Sequence, residues 1–406
     1  MSQIRRADYT MPASVILHGM YSLYIHVPFC QQRCSYCDFN TYAGQDELQA
    51  RYVEALRREI ALLAAAAGES LAVHTIYFGG GTPSLLTPRQ IESVLESIVH
   101  YFSLQEGAEI SLETNPDTVD AVYLRALRSA GVNRLSLGVQ SAHPDDLRLL
   151  GRHHDFVAVI RAVAWARKAG FENLNLDLIF GIPHQPLARW QRTLNQALAL
   201  KPEHFSLYAL TLEHGTPLAH WVGRGLLPAP DGDLAADMYL WADERLQEEG
   251  YAQYEISNWA QPGKACRHNL QYWRSQPYLG LGAGAHGYVT GVRTVNVLTP
   301  AGYIHRLSTD AQPRPFPRTP ATVEVRPLSP ADEMAEMMMM GLRLTQEGVS
   351  QRAFARRFGR EMLAVYGQPV RHLVRQGLLT WSADGDRLRL TNRGRLLGNW
   401  VFREFV

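Results

Sequence analysis

Cys30-Gln31-Gln32-Arg33-Cys34-Ser35-Tyr36-Cys37 stands directly after the short apolar run Ser22 to Val27, and its reading decides the rest of the chain. Three thiols at Cys-x3-Cys-x2-Cys spacing are one ligand short of a closed tetrahedral site. They suit a cubane iron-sulfur cluster in which three irons take a cysteine each and the fourth stays open. Three of the four cysteines lie within these eight residues, too close together for a disulfide framework and in keeping with metal binding in a reducing compartment.

Working outward, 406 residues with 46% hydrophobic and 19% charged content describe a folded protein of two or three domains. A net charge of +1 gives no general attraction to nucleic acid or to membranes. The first twenty residues carry Arg5, Arg6 and Asp8 and lack the apolar core of a secretory signal, and no stretch reaches the length of a membrane-spanning helix. The expected location is therefore cytoplasmic, with any membrane contact peripheral and through a partner.

Strand-like and helix-like patterns alternate through the first two thirds of the chain. Ser22–Val27, Val73–Phe78, Glu109–Glu113, Arg134–Val139, Asn173–Phe180 and His204–Leu210 read as strands, with helical periodicity between them over 46–66, 88–101, 119–130, 156–168 and 187–199. Six such units predict an α/β fold built on an incomplete (β/α)6 barrel, with the carboxyl ends of its strands gathered around one mouth. Polar residues collect at those ends. Gly79-Gly80-Gly81-Thr82-Pro83 leaves strand two, where bare backbone is expected to approach a ligand and present its amides; Glu113 ends strand three, Gln140 ends strand four, and Asp177 lies in strand five. Any one of these reads equally well as a turn or cap residue; the set does not.

Tyr24-x-His26-x-Pro28-Phe29-Cys30, the cysteine triplet, Gly79-Gly80-Gly81-Thr82-Pro83 and Glu113-x-Asn115-Pro116 together resemble the radical S-adenosylmethionine (SAM) superfamily. More narrowly they resemble the branch that holds oxygen-independent coproporphyrinogen III dehydrogenase and the HemW-type haem chaperones. That resemblance implies a [4Fe-4S] cluster on Cys30, Cys34 and Cys37, with SAM lined by Tyr24, Tyr36, Gly80, Gly81, Thr82 and Glu113, and by motif and spacing by Gln140, Arg152 and Asp177. Read as residues, Arg152 is also a surface cation beside His153 and His154, and Tyr24 a packed strand aromatic.

Two places separate the members of the branch. The porphyrinogen enzyme extends the triplet to Cys-x3-Cys-x2-Cys-x-Cys, whereas Phe39 holds the last position here, as in the HemW type. Arg267-His268-Asn269-Leu270-Gln271-Tyr272-Trp273 matches the His-Asn-x-x-Tyr-Trp mark of that type and makes His268 the candidate haem ligand. By chemistry alone a lone histidine among aromatics is a hydrogen-bonded packing residue, and both readings stay open. Cys266 reads as an inert thiol ahead of a soft ligand. Gly282-x-Gly284-x-x-Gly287 satisfies a dinucleotide fingerprint but precedes β-branched residues instead of a helix, so it reads as a tight turn. Met334 and Met337–Met340 read as adaptable core or an interaction surface.

Six prolines between Pro300 and Pro327 read as a linker. Beyond it, two helices and a hairpin turning at Asp384-Gly385 give an α+β domain of winged-helix type, rich in arginine at 352, 356, 357, 360, 387, 389, 393 and 395. The expected division is a lead-in over 1–20, the barrel with its haem-motif extension over 21–298, and the C-terminal domain over 299–406. Three functions follow in order of preference: a haem chaperone that binds cluster, SAM and haem and hands haem to haem-requiring proteins such as membrane respiratory enzymes; a radical enzyme acting on a porphyrinogen or another tetrapyrrole; and a cluster-bearing nucleic-acid binder. The first reading leaves SAM cleavage in normal operation undecided and allows a homodimer.

Overall fold

The computed structural model describes residues 19–289, 291–310 and 312–406, so the lead-in falls outside the described residues except for Gly19 and Met20. Six parallel strands form the frame: β1 (Tyr21–Val27), β2 (Ala72–Gly80), β3 (Ser103–Thr114), β4 (Arg134–Gln140), β5 (Leu174–Phe180) and β6 (His204–Ala209), hydrogen-bonded in sequence order. Between them run α1 (Gln49–Ala67), α2 (Pro88–Tyr101), α3 (Ala121–Ser129), α4 (Phe156–Lys168) and α5 (Leu187–Leu198), and α6 (Gly232–Glu248) follows β6. The helices start where local chemistry says they should. Thr87 and Gln90 close a capping box with Pro88 at the first position, and Asp120 and Asp155 accept the first amides of α3 and α4.

Side chains alternate across each strand, and here the two faces differ in kind. Leu23, Ile25, Ile76, Phe78, Leu135, Leu137, Leu174 and Leu176 face outward and are buried against the helices. The inward positions are Ser22, Tyr24, Thr75, Tyr77, Ser111, Glu113, Arg134, Ser136, Asn175 and Asp177, nearly all polar. Ordinary barrels fill this space with branched aliphatic residues. A polar interior instead leaves room for a ligand.

The sheet continues past both barrel edges. β7 (Ala252–Glu255) and β8 (Asn258–Ala260) add an antiparallel pair beside β6, and α7 (Arg267–Trp273) follows. On the other side β9 (Tyr278–Leu281) lies parallel to β1, and β10 (His286–Val289), β11 (Val292–Asn296) and β12 (Thr322–Pro327) extend it antiparallel to give twelve strands. The glycine fingerprint is the turn between β9 and β10: Gly282 has φ +100°, and a Cβ there would come 2.5 Å from the His26 carbonyl oxygen.

The expected boundary at 298/299 is corrected by the packing. Residues 300–327 belong to the barrel: α8 (Pro300–Thr309) buries Tyr303, Ile304 and Leu307 in the same core as β1 and α1, and β12 is an edge strand of the main sheet. Glu59 on α1, fully buried, fastens this region by accepting from the Gly282 amide, the Asn296 amide group, the Tyr303 hydroxyl and the Thr319 hydroxyl, all at 2.6–2.8 Å. The prolines misled because Pro300 is a helix first-position residue and Pro327 closes an edge strand, two places that tolerate a missing N–H.

The C-terminal unit contains α9 (Pro330–Gly341), β13 (Val349–Ser350), α10 (Gln351–Phe358), α11 (Met362–Arg375) and the hairpin β14 (Leu379–Trp381) and β15 (Arg387–Leu390), and this α+β winged-helix-type domain has its own core. Met334 and Met338 are buried in it, with Met337 and Met339 packed alongside, so four of the five methionines serve the core. Several arginines dock this domain onto the barrel. Arg357 donates to the Ser275 carbonyl and the Tyr288 hydroxyl, and Arg395 to the Gln253 side chain at 2.7 Å.

Candidate functional site

The cysteine loop sits on the carboxyl ends of the strands and is pinned at its base. Phe29–Cys30 pairs with Tyr42–Ala43 in a two-residue parallel ladder, and the Tyr42 amide reaches the Pro28 carbonyl at 2.7 Å. His26, whose Nδ1 meets the Tyr24 hydroxyl, uses Nε2 on the Asn40 carbonyl at 2.9 Å and so clamps the loop where it leaves the site. Ser35 holds the far side through the Leu149 and Leu150 carbonyls. Burial, its leading cause, pushes the Cys30 and Cys37 thiols up. All three thiols are free, and Thr82 points its hydroxyl at the Cys30 sulfur, 3.7 Å away.

A cavity of about 540 Å³ opens beneath this loop and runs into the barrel. Every site residue expected from the sequence borders it. At the mouth these are Cys30, Cys34, Cys37, Tyr36, Gly80, Gly81 and Thr82. Gln140, Arg152, Glu113 and Asp177 form the wall, and Tyr24 and His268 lie deeper. Among the described residues the thiols do not close around a single metal ion. A cubane asks for something else, since each thiolate holds a different corner.

The glycine turn does a different job from the expected one. The Gly80 amide donates to Glu113 at 3.1 Å, the Gly81 amide to the Val27 carbonyl at 2.8 Å, and the Thr82 amide to the Phe29 carbonyl at 2.8 Å. These amides are spent inside the fold. The glycines are needed for close approach: a Cβ on Gly81 would lie 2.5 Å from the Phe29 carbonyl oxygen, and one on Gly80, at φ +112°, would strike the His26 ring. Their bare backbone lets the root of the cysteine loop lie directly on β2.

Glu113 accepts from Tyr77 at 2.8 Å as well as from Gly80. Removal from water, then the neighbouring Asp177 carboxylate, raise its carboxyl to about 7. A ligand's ammonium group at that spot would restore its charge. Arg152 donates to Asn115 at 2.7 Å and to the Tyr36 hydroxyl at 2.9 Å, which ties it to the cysteine loop and excludes the surface-cation reading. Asp177 accepts from Ser136 and Asn175, and burial raises its carboxyl too. Gln140 is buried with φ +64° at an irregularity in the β4–β5 register, a backbone conformation that a non-glycine residue keeps only when its surroundings impose it.

The floor is closed by α7. Glu109 of β3 accepts from the Arg267 and His268 amides, each at 3.1 Å, and from the Cys266 thiol at 3.5 Å, so it caps the helix from inside the barrel. His268 is 1% exposed; Nδ1 meets the Thr75 hydroxyl, Nε2 meets the Tyr272 hydroxyl, each at 2.8 Å, and the ring stacks on Tyr77 at 5.1 Å. Burial keeps this imidazole neutral, with a pKa lowered to about 3. Burial also pushes the Cys266 thiol up to about 12, in line with an inert residue. The sequence reading missed Glu109, Thr75 and Tyr77 as parts of this site. The one available signal was a polar residue at an inward period-two position of a strand.

Comparison with known proteins gives a consistent picture. Residues 24–197 match the radical SAM superfamily, and residues 328–397 match the HemN C-terminal domain. The chain is 38% identical to the heme chaperone HemW of Bacillus subtilis (strain 168) over 388 residues, covering 95% of this chain and 99% of the relative. It is also 38% identical to the heme chaperone HemW of Mycobacterium tuberculosis (strain ATCC 25618 / H37Rv), covering 99% of each. The solved structure of coproporphyrinogen III oxidase (HemN) from Escherichia coli, a radical SAM enzyme, superposes with a TM-score of 0.80 at 23% identity over 95% of this chain and 90% of that one, a likeness of fold.

Proposed function

This chain belongs to the HemW branch of the radical SAM superfamily, and from that premise we propose that it is a haem chaperone which holds a [4Fe-4S] cluster and SAM in the barrel and passes haem to haem-requiring proteins, membrane respiratory enzymes among them. The observation that carries the reading is the convergence of three free thiols and the strand-end polar residues on one cavity. The donor set fits the group: soft sulfur ligands stand at the mouth, with a hydroxyl already directed at one of them.

Cys30, Cys34 and Cys37 would hold the cluster, and a bound cluster supplies an open iron that can chelate SAM and pass it one electron. The remaining work is the chain's own. His26 and Ser35 fix the loop so that the thiols face the cavity. Glu113 offers a carboxylate to an ammonium group, and Arg152, anchored by Asn115, offers a cation to an anionic one. Tyr24, Tyr36, Thr82, Gln140 and Asp177 complete the wall, and α7 shuts water out from below. His268 would be the residue to offer haem a nitrogen, on the condition that the Tyr272 hydroxyl releases Nε2.

Anaerobic reconstitution with iron and sulfide tests the reading. Uptake of four irons per chain, a change of the cluster spectrum on adding SAM, and a haem Soret band are expected. Incubation with coproporphyrinogen III, reductant and SAM should leave the porphyrinogen intact; its decarboxylation would replace the chaperone assignment with an enzymatic one. An unchanged haem spectrum in His268→Ala would remove that residue from the haem site.

A further inference from the structure

Arg134 begins β4 at the bottom of the barrel, borders the cavity and is 1% exposed. Its Nε and Nη1 are buried with no hydrogen-bond partner among the described residues, and it joins none of their ion pairs. Ser111, its register partner on β3 and therefore on the same face, also has a buried hydroxyl without a partner. A guanidinium is always charged, and a buried charge persists only with a compensating group. The nearby Glu109 carboxylate offsets the charge without bonding to it, and these two adjacent strand positions hold donors that nothing among the described residues satisfies.

We propose that Arg134, backed by its register partner Ser111, forms a carboxylate-binding subsite on the floor of the cavity, which takes the acidic tail of a ligand whose body lies above it. The guanidinium presents parallel donors matched to a carboxylate. Asp177 and Glu109 are tied down nearby by Asn175 and by α7, and they oppose a doubly charged anion such as phosphate. Arg134 lies six residues below Gln140, roughly 20 Å at the rise of a strand, so the subsite is separate from the mouth. The source that fits this position is a haem propionate, since the methionyl carboxylate of SAM is expected at the open iron of the mouth, and this assignment rests on the proposed function.

The test compares wild type with Arg134→Met, Arg134→Lys and Ser111→Ala, each checked for fold by circular dichroism. Haem is titrated against haem dimethyl ester on the reconstituted chain, with SAM as a control whose affinity should not change. Loss of a charged, bidentate contact should weaken the acid form on the order of 10- to 100-fold in Arg134→Met and leave the blocked form unchanged, with smaller losses in the other two variants. Weaker SAM binding with haem binding unchanged would overturn the assignment to a propionate. Should Arg134→Met fail to fold, Arg134→Lys and Ser111→Ala carry the comparison.

A third arm is independent of cluster and cofactor. Sodium glutarate, against sodium chloride, should raise the melting temperature of the cluster-free full chain through Arg134. If wild type takes up no iron, SAM or haem but glutarate acts, the proposed function fails and the subsite stands. If no probe responds to Arg134, the donors are satisfied by water alone and the subsite is refuted.

Discussion

The two ends of the cavity are built from the same kinds of polar residue but by opposite rules. At the mouth the thiols and Thr82 come from loops that follow the strands and the thiols are left free, while in the wall just below Arg152 and Glu113 are bonded within the fold. At the floor the groups come from inside the strands and from α7, and Glu109, Thr75, His268 and Tyr272 are locked in a closed set of hydrogen bonds. Free donors and acceptors are the sign of a place where a ligand is taken; satisfied ones are the sign of a structural plug. By that criterion the haem-branch histidine sits on the plug, and Arg134 is the floor residue that behaves like the mouth.

The comparison can be broken at either end. Replacing Cys30, Cys34 and Cys37 together by alanine should abolish iron loading, measured by iron and sulfide analysis after anaerobic reconstitution, and leave the melting temperature of the cluster-free chain near wild type. A collapse of the cluster-free fold would show that the mouth is structural as well. Glu109→Ala should do the reverse. Two buried amides and a thiol lose their acceptor, so stability should fall by about 2–4 kcal/mol in urea melts, with the cysteine loop still able to take up iron.

Glu113 sharpens the contrast through pH. Its folded pKa of about 7 lies above the ordinary value of 4.5, so the folded chain keeps the proton longer than the unfolded chain does. Its contribution therefore makes the ligand-free protein less stable as pH rises from 4.5 to about 7, and is constant above that. Glu113→Gln should flatten this slope. Affinity for the SAM ammonium group should rise across the same interval, with proton release near neutrality in calorimetry run in buffers of different ionisation enthalpy. The glutamine variant should lose that dependence and bind about tenfold more weakly.

The smallest effect is expected at Gln140. Glycine there relieves the left-handed backbone, so Gln140→Gly should leave the chain equally stable or up to about 1 kcal/mol more stable, while weakening SAM binding. A clear loss of stability would move Gln140 from the ligand-taking group to the structural one.

Much of this was legible in the chain before any coordinates. The alternation of strand and helix and the place of the glycine turn after β2 are short-range patterns, and both elements stand where the spacing put them. The function of the glycine amides was not legible, because whether an amide faces a ligand or the Val27 carbonyl depends on a strand next to it in space. The extension over residues 300–327 was lost for the same reason: Glu59 sits in an unbroken helical pattern, and its four donors lie 223 to 260 positions downstream.

The sequence by itself determined the thiol triplet, the six-unit barrel and the branch of the superfamily, since all of these rest on local spacing that survives as text. Only the tertiary structure decided that the barrel interior is polar from mouth to floor, that α7 plugs it from below through Glu109, and that Nε and Nη1 of Arg134 find no hydrogen-bond partner among the described residues. The reason is physical: hydrogen bonds between strands and across domains form between residues that sequence order keeps apart, and whether a buried polar group is satisfied depends on those distant partners.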